Sequence, residues 1–185
     1  MFDKSELASR IRETENIIQW AILKVPLQRV QESPPHGKHP HSDKGFKTYF
    51  GDWSALRQLF HLTFYEENYA IPAMQYFTGN PHLAGDPVFP RSEIEEKAWH
   101  DALATGIDVF ALQQRLHGLR EVQLRILCEI PEDVWGRETL QTGMGLVSAE
   151  FIVMKTIQHS LEHANDILKN ALYWERALRW LDRQA

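Results

Sequence analysis

LVSAEFIVMKTIQHSLEHANDILKNALYWERALRWL, residues 146–181, runs without a glycine or a proline. At about 100° per residue, Ile152, Val153, Thr156, Ala164, Ile167, Ala171 and Trp174 fall on one arc, the pattern of a helix that buries one face. The spacing predicts a helix from near Leu146 to about Leu181. A helix of that kind draws most of its stability from packing its apolar stripe, so partners of similar length are expected.

Glycine and proline leave three such partners. Residues 3–32 carry Leu7, Ile11, Ile18, Ile22 and Val25 at helical spacing, with Pro26 expected to kink or thin the last turn. A long polar loop, SPPHGKHPHSDKGFKTYFGD, follows at residues 33–52; loops of this length are usually functional or mobile. The second helix is expected to start at Trp53 or Ser54 and to bury Leu56, Leu59, Phe60, Thr63, Phe64, Met74 and Phe77, with a kink near Tyr69 caused by Pro72. GNPHLAGDPVFP, residues 79–90, ends it with turn formers. Ser92 and Glu95 read as a capping box opening a third helix to about Glu129. Its expected core is Leu103, Ile107, Phe110, Leu119, Ile126 and Leu127, and Gly106 and Gly118 weaken it locally. Residues 131–135 read as a short helical turn. No segment shows the sustained alternation of a strand. The expected class is therefore all-α, a single domain over residues 1–185, with an antiparallel four-helix bundle as the simplest packing.

Composition narrows the partners. The chain has 185 residues, 43% hydrophobic and 24% charged, enough for one substantial core. A net charge of −5 argues against nucleic acid, which wants a basic face. No apolar run approaches a membrane span, and the N-terminal residues lack the apolar core of a signal peptide. Cys128 is the lone cysteine, so no internal disulfide forms. These features predict a soluble cytoplasmic protein; a small-molecule substrate is the partner expected with the metal reading below.

His159 and His163 stand four apart at one border of the buried arc, on one face and one turn from each other, where they can share a metal. Nine histidines in the chain also produce such a pair by chance, and two surface histidines is the plain alternative. His61 holds a similar border place on the second helix, beside Phe64 and Trp53. Three neutral imidazoles around a divalent ion leave a position for water or substrate. His36, His39 and His41 in PPHGKHPHS read as a solvated loop, with a second metal site or a lid as the alternatives. Glu67 falls near the middle of an apolar face, either as a buried acid, base or partner of a ligand histidine, or turned outward by Pro72. Glu162 and Asp166 read as solvated. Cys128 reads as a buried small hydrophobe. Trp53, Tyr65, Trp99 and Trp174 read as core or interface.

WSALRQLFHLTFYEE at residues 53–67 and TIQHSLEHANDIL at residues 156–168 together resemble the two signatures of the DinB superfamily, which includes the YfiT-like metalloenzymes. The order of helices, long loop and short Pro-initiated turn is similar as well. Two departures stand out: Glu162 precedes the last histidine and Ala164 follows it, where many members carry His-His and then Gly or Arg. The resemblance implies a four-helix bundle binding zinc, nickel or a similar ion through His61, His159 and His163. It implies a metal-dependent transferase, with a low-molecular-weight thiol as co-substrate, or a hydrolase, and a homodimer. A non-catalytic metal-binding or stress-response bundle protein is the alternative.

Overall fold

The computed structural model describes residues 2–35, 51–79 and 92–183. The three histidines of the 36–41 cluster and the side chain of Ser92 lie outside them. Asp3 caps helix α1 (Lys4–Ile22) by accepting from the Ser5 and Glu6 amides. Its expected stripe, Leu7, Ile11, Ile18 and Ile22, is buried, and so is Val25 beyond it. The helix ends ten residues before the expected Glu32. The amides of Lys24 and Val25 bond only three residues back, to Ala21 and Ile22, and Pro26 has no amide to continue the ladder. One 3-10 turn, Leu27–Arg29, follows.

Ser54 caps helix α2 (Ala55–Tyr65), accepting from the Arg57 amide at 3.1 Å. The kink expected near Tyr69 takes the form of a π-helical turn, Glu66–Ala70, before helix α3 (Ile71–Tyr76). The Ile71 amide reaches back five residues to the Glu66 carbonyl. Pro72 then falls in the first turn of α3, where a missing donor costs little.

The single third helix of the sequence reading is two helices, α4 (Ser92–Ala104) and α5 (Val109–Glu129). Gly106 takes a left-handed φ of +76°. The amides of Gly106 and Ile107 bond back to Leu103 and Ala102, which closes α4 with a Schellman motif. Asp108 restarts the chain as the cap of α5, accepting from Ala111 at 2.8 Å. The break resets the helical phase, so Leu103 and Phe110 are exposed, against expectation, while Ile126 and Leu127 are buried. Cys128, a further 100° round, faces solvent instead of the core.

Pro131 opens the short helix α6 (Glu132–Trp135), which buries Trp135. The absence of strands is also corrected: β1 (Leu140–Thr142) and β2 (Gly145–Val147) form an antiparallel hairpin. Each strand is three residues long, too short for alternation to register. Ser148 then caps α7 (Ala149–Leu181), so this helix starts three residues after the expected Leu146. No helix among the described residues is long and apolar enough to cross a membrane.

α1 packs chiefly on α7 and next on α5, and α2 packs on α5 and α7. The packing is not antiparallel throughout. Phe2 meets Glu150 and Arg29 meets Glu175, so α1 and α7 run parallel. Leu56 and Leu116 share one apolar cluster while Tyr69 and Leu124 share another, so α2 and α5 also run parallel. Between them in sequence, α4 lies against α2, with Glu95 at His61 and Trp99 on Phe60.

A polar layer divides the two apolar clusters. Its centre is Arg120 on α5, wholly buried with Glu66 of the π turn at 2.5 Å. Gln123 donates to Glu66 at 2.7 Å, and Arg120 donates to Ser160 on α7 at 2.5 Å and to Thr14 on α1 at 3.4 Å.

Two glycines test this account of α4 and α5. A Cβ at Gly106 or at Gly118 would meet no atom of the described residues within 4 Å, so each substitution reports backbone conformation alone. Gly106→Ala should lower stability by about 1–2 kcal/mol, the cost of a left-handed alanine. Gly118→Ala, inside exposed helix, should raise it by about 0.5–1 kcal/mol. Urea denaturation followed by circular dichroism measures both; effects of the same sign would contradict the break at Gly106.

Candidate metal centre

The direction of α2 against α7 builds the centre. The two helices run antiparallel here, so His61 faces His159, and Gln58, one turn earlier, faces His163. The Nε2 atoms of His61 and His163 lie 3.0 and 2.9 Å from the Nε2 of His159. Candidate ligand atoms on all three lie within 4.8 Å of one another. Tetrahedral ligands with Zn–N near 2.0–2.1 Å sit about 3.3 Å apart, so the two contacts to His159 would open by a few tenths of an ångström around an ion. The structure thus brings together the three histidines singled out in the sequence.

The outward ring nitrogens set the tautomers. His61 Nδ1 meets Glu95 Oε1 at 2.8 Å, and a carboxylate only accepts, so Nδ1 carries the hydrogen and Nε2 keeps its lone pair. His163 Nδ1 donates in the same way to Gln58 Oε1. Two lone pairs therefore point at His159. A proton on its Nε2 can serve them in turn, whereas a divalent ion accepts from all three rings at once. Partners of this kind orient ligand imidazoles and raise their basicity. His159 differs: among the described residues its buried Nδ1 has no hydrogen-bond partner, and its ring is held by packing on Tyr65, centroids 4.4 Å apart.

Arg57 holds the outer sphere. Its guanidinium reaches Glu95 at 2.6 Å and Glu96 at 2.8 Å and lies over the rings of Trp53, Phe60 and Trp99. Trp53 also stacks on His163, centroids 6.1 Å apart, and tilts against His61 at 4.8 Å. Burial opposes the charge on Glu95, but the hydrogen bond from His61 and the adjacent guanidinium outweigh it and hold its carboxyl below the usual range. Burial, together with the neighbouring imidazoles, pushes His159 down to about 2 and His163 to about 3. Both are neutral at physiological pH, the form a metal requires.

Gln58, Glu95 and Arg57 escaped the sequence reading. Gln58 carried a signal, since three residues before His61 puts it on the same face. In the sequence Glu95 reads as half of a capping box, but its carboxylate is committed to His61 and Arg57. Of the two readings of Glu67, the outward one holds: it is exposed and pairs with Arg115. The buried acid is its neighbour Glu66. Asp166 pairs with Lys169 and Glu162 accepts from Gln158, as solvated groups do. No family model, no curated protein and no solved structure matches the chain. The reading of the site therefore rests on its geometry and on the resemblance of its motifs.

Protons test the metal-free site. Unfolded, His159 and His163 take up protons near pH 6.5; folded, they refuse them until about pH 3 or below. Between those values each proton favours unfolding by about 1.4 kcal/mol per pH unit as pH falls. Glu66 acts with the opposite sign. Burial, partly offset by Arg120, raises its pKa from 4.5 to about 7, so its contribution is present in acid and lost as pH rises through that range. Two histidines outweigh one carboxyl. The Tm of metal-free protein should fall from pH 7 to pH 5, and fall more steeply in Glu66→Gln; a flat profile in thermal melts would contradict the buried neutral histidines.

Proposed function

We propose that the chain is a divalent-metal enzyme of the DinB/YfiT-like kind. In this reading one domain over residues 1–185 forms a four-helix bundle from α1, α2 with α3, α5 and α7. His61, His159 and His163 hold zinc or nickel. The observation that carries the reading is the convergence of three Nε2 atoms, two of them with their tautomer set from behind by Glu95 and Gln58. That donor set fits the ion: all nitrogen, neutral, preoriented and one short of a closed tetrahedral shell, the pattern of catalytic and not structural sites.

The bound ion supplies Lewis acidity, which lowers the pKa of a water or a low-molecular-weight thiol at the remaining position. The chain's own residues do the rest. Glu95 and Gln58 keep the protons of His61 and His163 on Nδ1 and the lone pairs facing inward. Trp53 and Tyr65 wall the imidazoles and hold their planes. Arg57 fixes Glu95 and limits its negative charge.

Elemental analysis of the purified protein tests the site. About one divalent ion per chain is expected, with loss of that ion in His61→Ala and in His163→Ala. Wild-type protein without a stoichiometric ion, or variants that retain it, would overturn the reading. Metal-loaded protein is then assayed with thiols plus electrophiles and with esters and amides. Transfer of the thiol marks a transferase, hydrolysis marks a hydrolase, and a metal-loaded protein inert to all of them is the non-catalytic alternative.

A further inference from the structure

The centre's ligands come from two helices, and one side chain outside both touches the two of them. Arg120 of α5 reaches Ser160, which stands between His159 and His163 on α7. It also pairs with Glu66, which follows Tyr65, the ring packed on His159. Arg120 therefore braces α7 and the end of α2 from behind, at the height of the metal ligands.

Stability alone explains this layer poorly. A buried ion pair repays its desolvation only when the geometry is excellent and every polar atom is served. Here Arg120 Nε and Gln123 Oε1 are buried with no hydrogen-bond partner among the described residues. Replacing a buried ion pair by apolar side chains of similar volume is often neutral or stabilising. Such side chains would not fix the geometry of the layer, because apolar contacts permit small shifts between helices at little cost. The planar guanidinium accepts few orientations. A metal site needs its ligands held within about 0.5 Å.

We propose that Arg120, oriented by Glu66 and Gln123, is a positioning residue for the metal centre. It fixes α7 against α2 through Ser160 and the π turn, and so sets the spacing of His61, His159 and His163. The inference rests on the reading that these histidines bind a divalent ion.

The test separates stability from positioning. Glu66, Arg120 and Gln123 are replaced together by Leu, Met and Leu, which leaves no widowed charge or amide in the layer. Metal-free Tm, Co2+ affinity by chelator competition and the visible spectrum of the Co2+ protein are compared with wild type. The expected result is a Tm at or above wild type, Co2+ affinity lower by about tenfold or more, and a changed spectrum. A folded triple variant with wild-type affinity and spectrum would overturn the proposal. If the triple variant fails to fold, Arg120→Lys decides: it keeps the charge and loses the fork. Weaker Co2+ binding by folded Arg120→Lys supports the role, and wild-type binding and spectrum overturn it. Wild-type protein that binds no Co2+ would overturn the metal reading itself, and this inference with it, before any variant is compared.

Discussion

The ion pair between Glu66 and Arg120 is the constraint around which the core is arranged. Both side chains are fully buried. Removing a single partner of such a pair typically costs about 3–5 kcal/mol, because the other charge is left alone in a low dielectric. The fold answers by bringing hydroxyls and an amide from α1, α5 and α7 to one level: Thr14, Gln123 and Ser160. Above and below, the core is apolar, with Ile11, Leu124 and Ile157 on one side and Ile18, Leu116 and Ala164 on the other. A slide of one helix by a turn would carry a charge into one of those clusters. The layer thus fixes register, and the histidines inherit it, since Ser160 lies between two of them.

The course of the chain supplies the rest of the site. Because α2 and α5 run parallel, the chain crosses back between them, and α4, within that connection, lies against α2. It brings Glu95 to the outward nitrogen of His61, and Arg57 to a place where one guanidinium meets both Glu95 and Glu96. The three nitrogens that converge come from the long helices, while a partner that sets a tautomer comes from the crossover. A chain with antiparallel neighbours throughout would need no such crossover, and His61 would lack its carboxylate.

Local rules show in this sequence wherever periodicity and punctuation suffice. α7 and its two histidines follow from a run without glycine or proline and from spacing of four. The stripe of α1 follows in the same way. Positions set by one-residue phase do not. Glu66 and Glu67 are the same amino acid side by side, and the π turn, an event of tertiary packing around Pro72, buries the first and exposes the second. Gly106 and Gly118 look alike in a helical pattern; only Gly106 has an aspartate two residues on to cap a new helix, a signal present in the sequence and passed over. The hairpin over residues 140–147 is too short to show a period. Glu95 met a local rule, the capping box, and its actual partners lie 34 and 38 positions away.

The charges around the centre bear on the chemistry proposed for it. The three imidazoles bring no charge when neutral, so they leave the charge of a bound divalent ion undiminished. The nearest carboxylate, Glu95, is shared between His61 and Arg57, so its negative charge is largely met before it reaches the centre. A set with two thiolates or carboxylates would have neutralised the ion's charge. Three neutral nitrogens behind aromatic walls instead favour an anion at the remaining position. In the proposed reading, hydroxide or thiolate would be the anion that water or a thiol becomes there, and each would be the nucleophile its reaction needs.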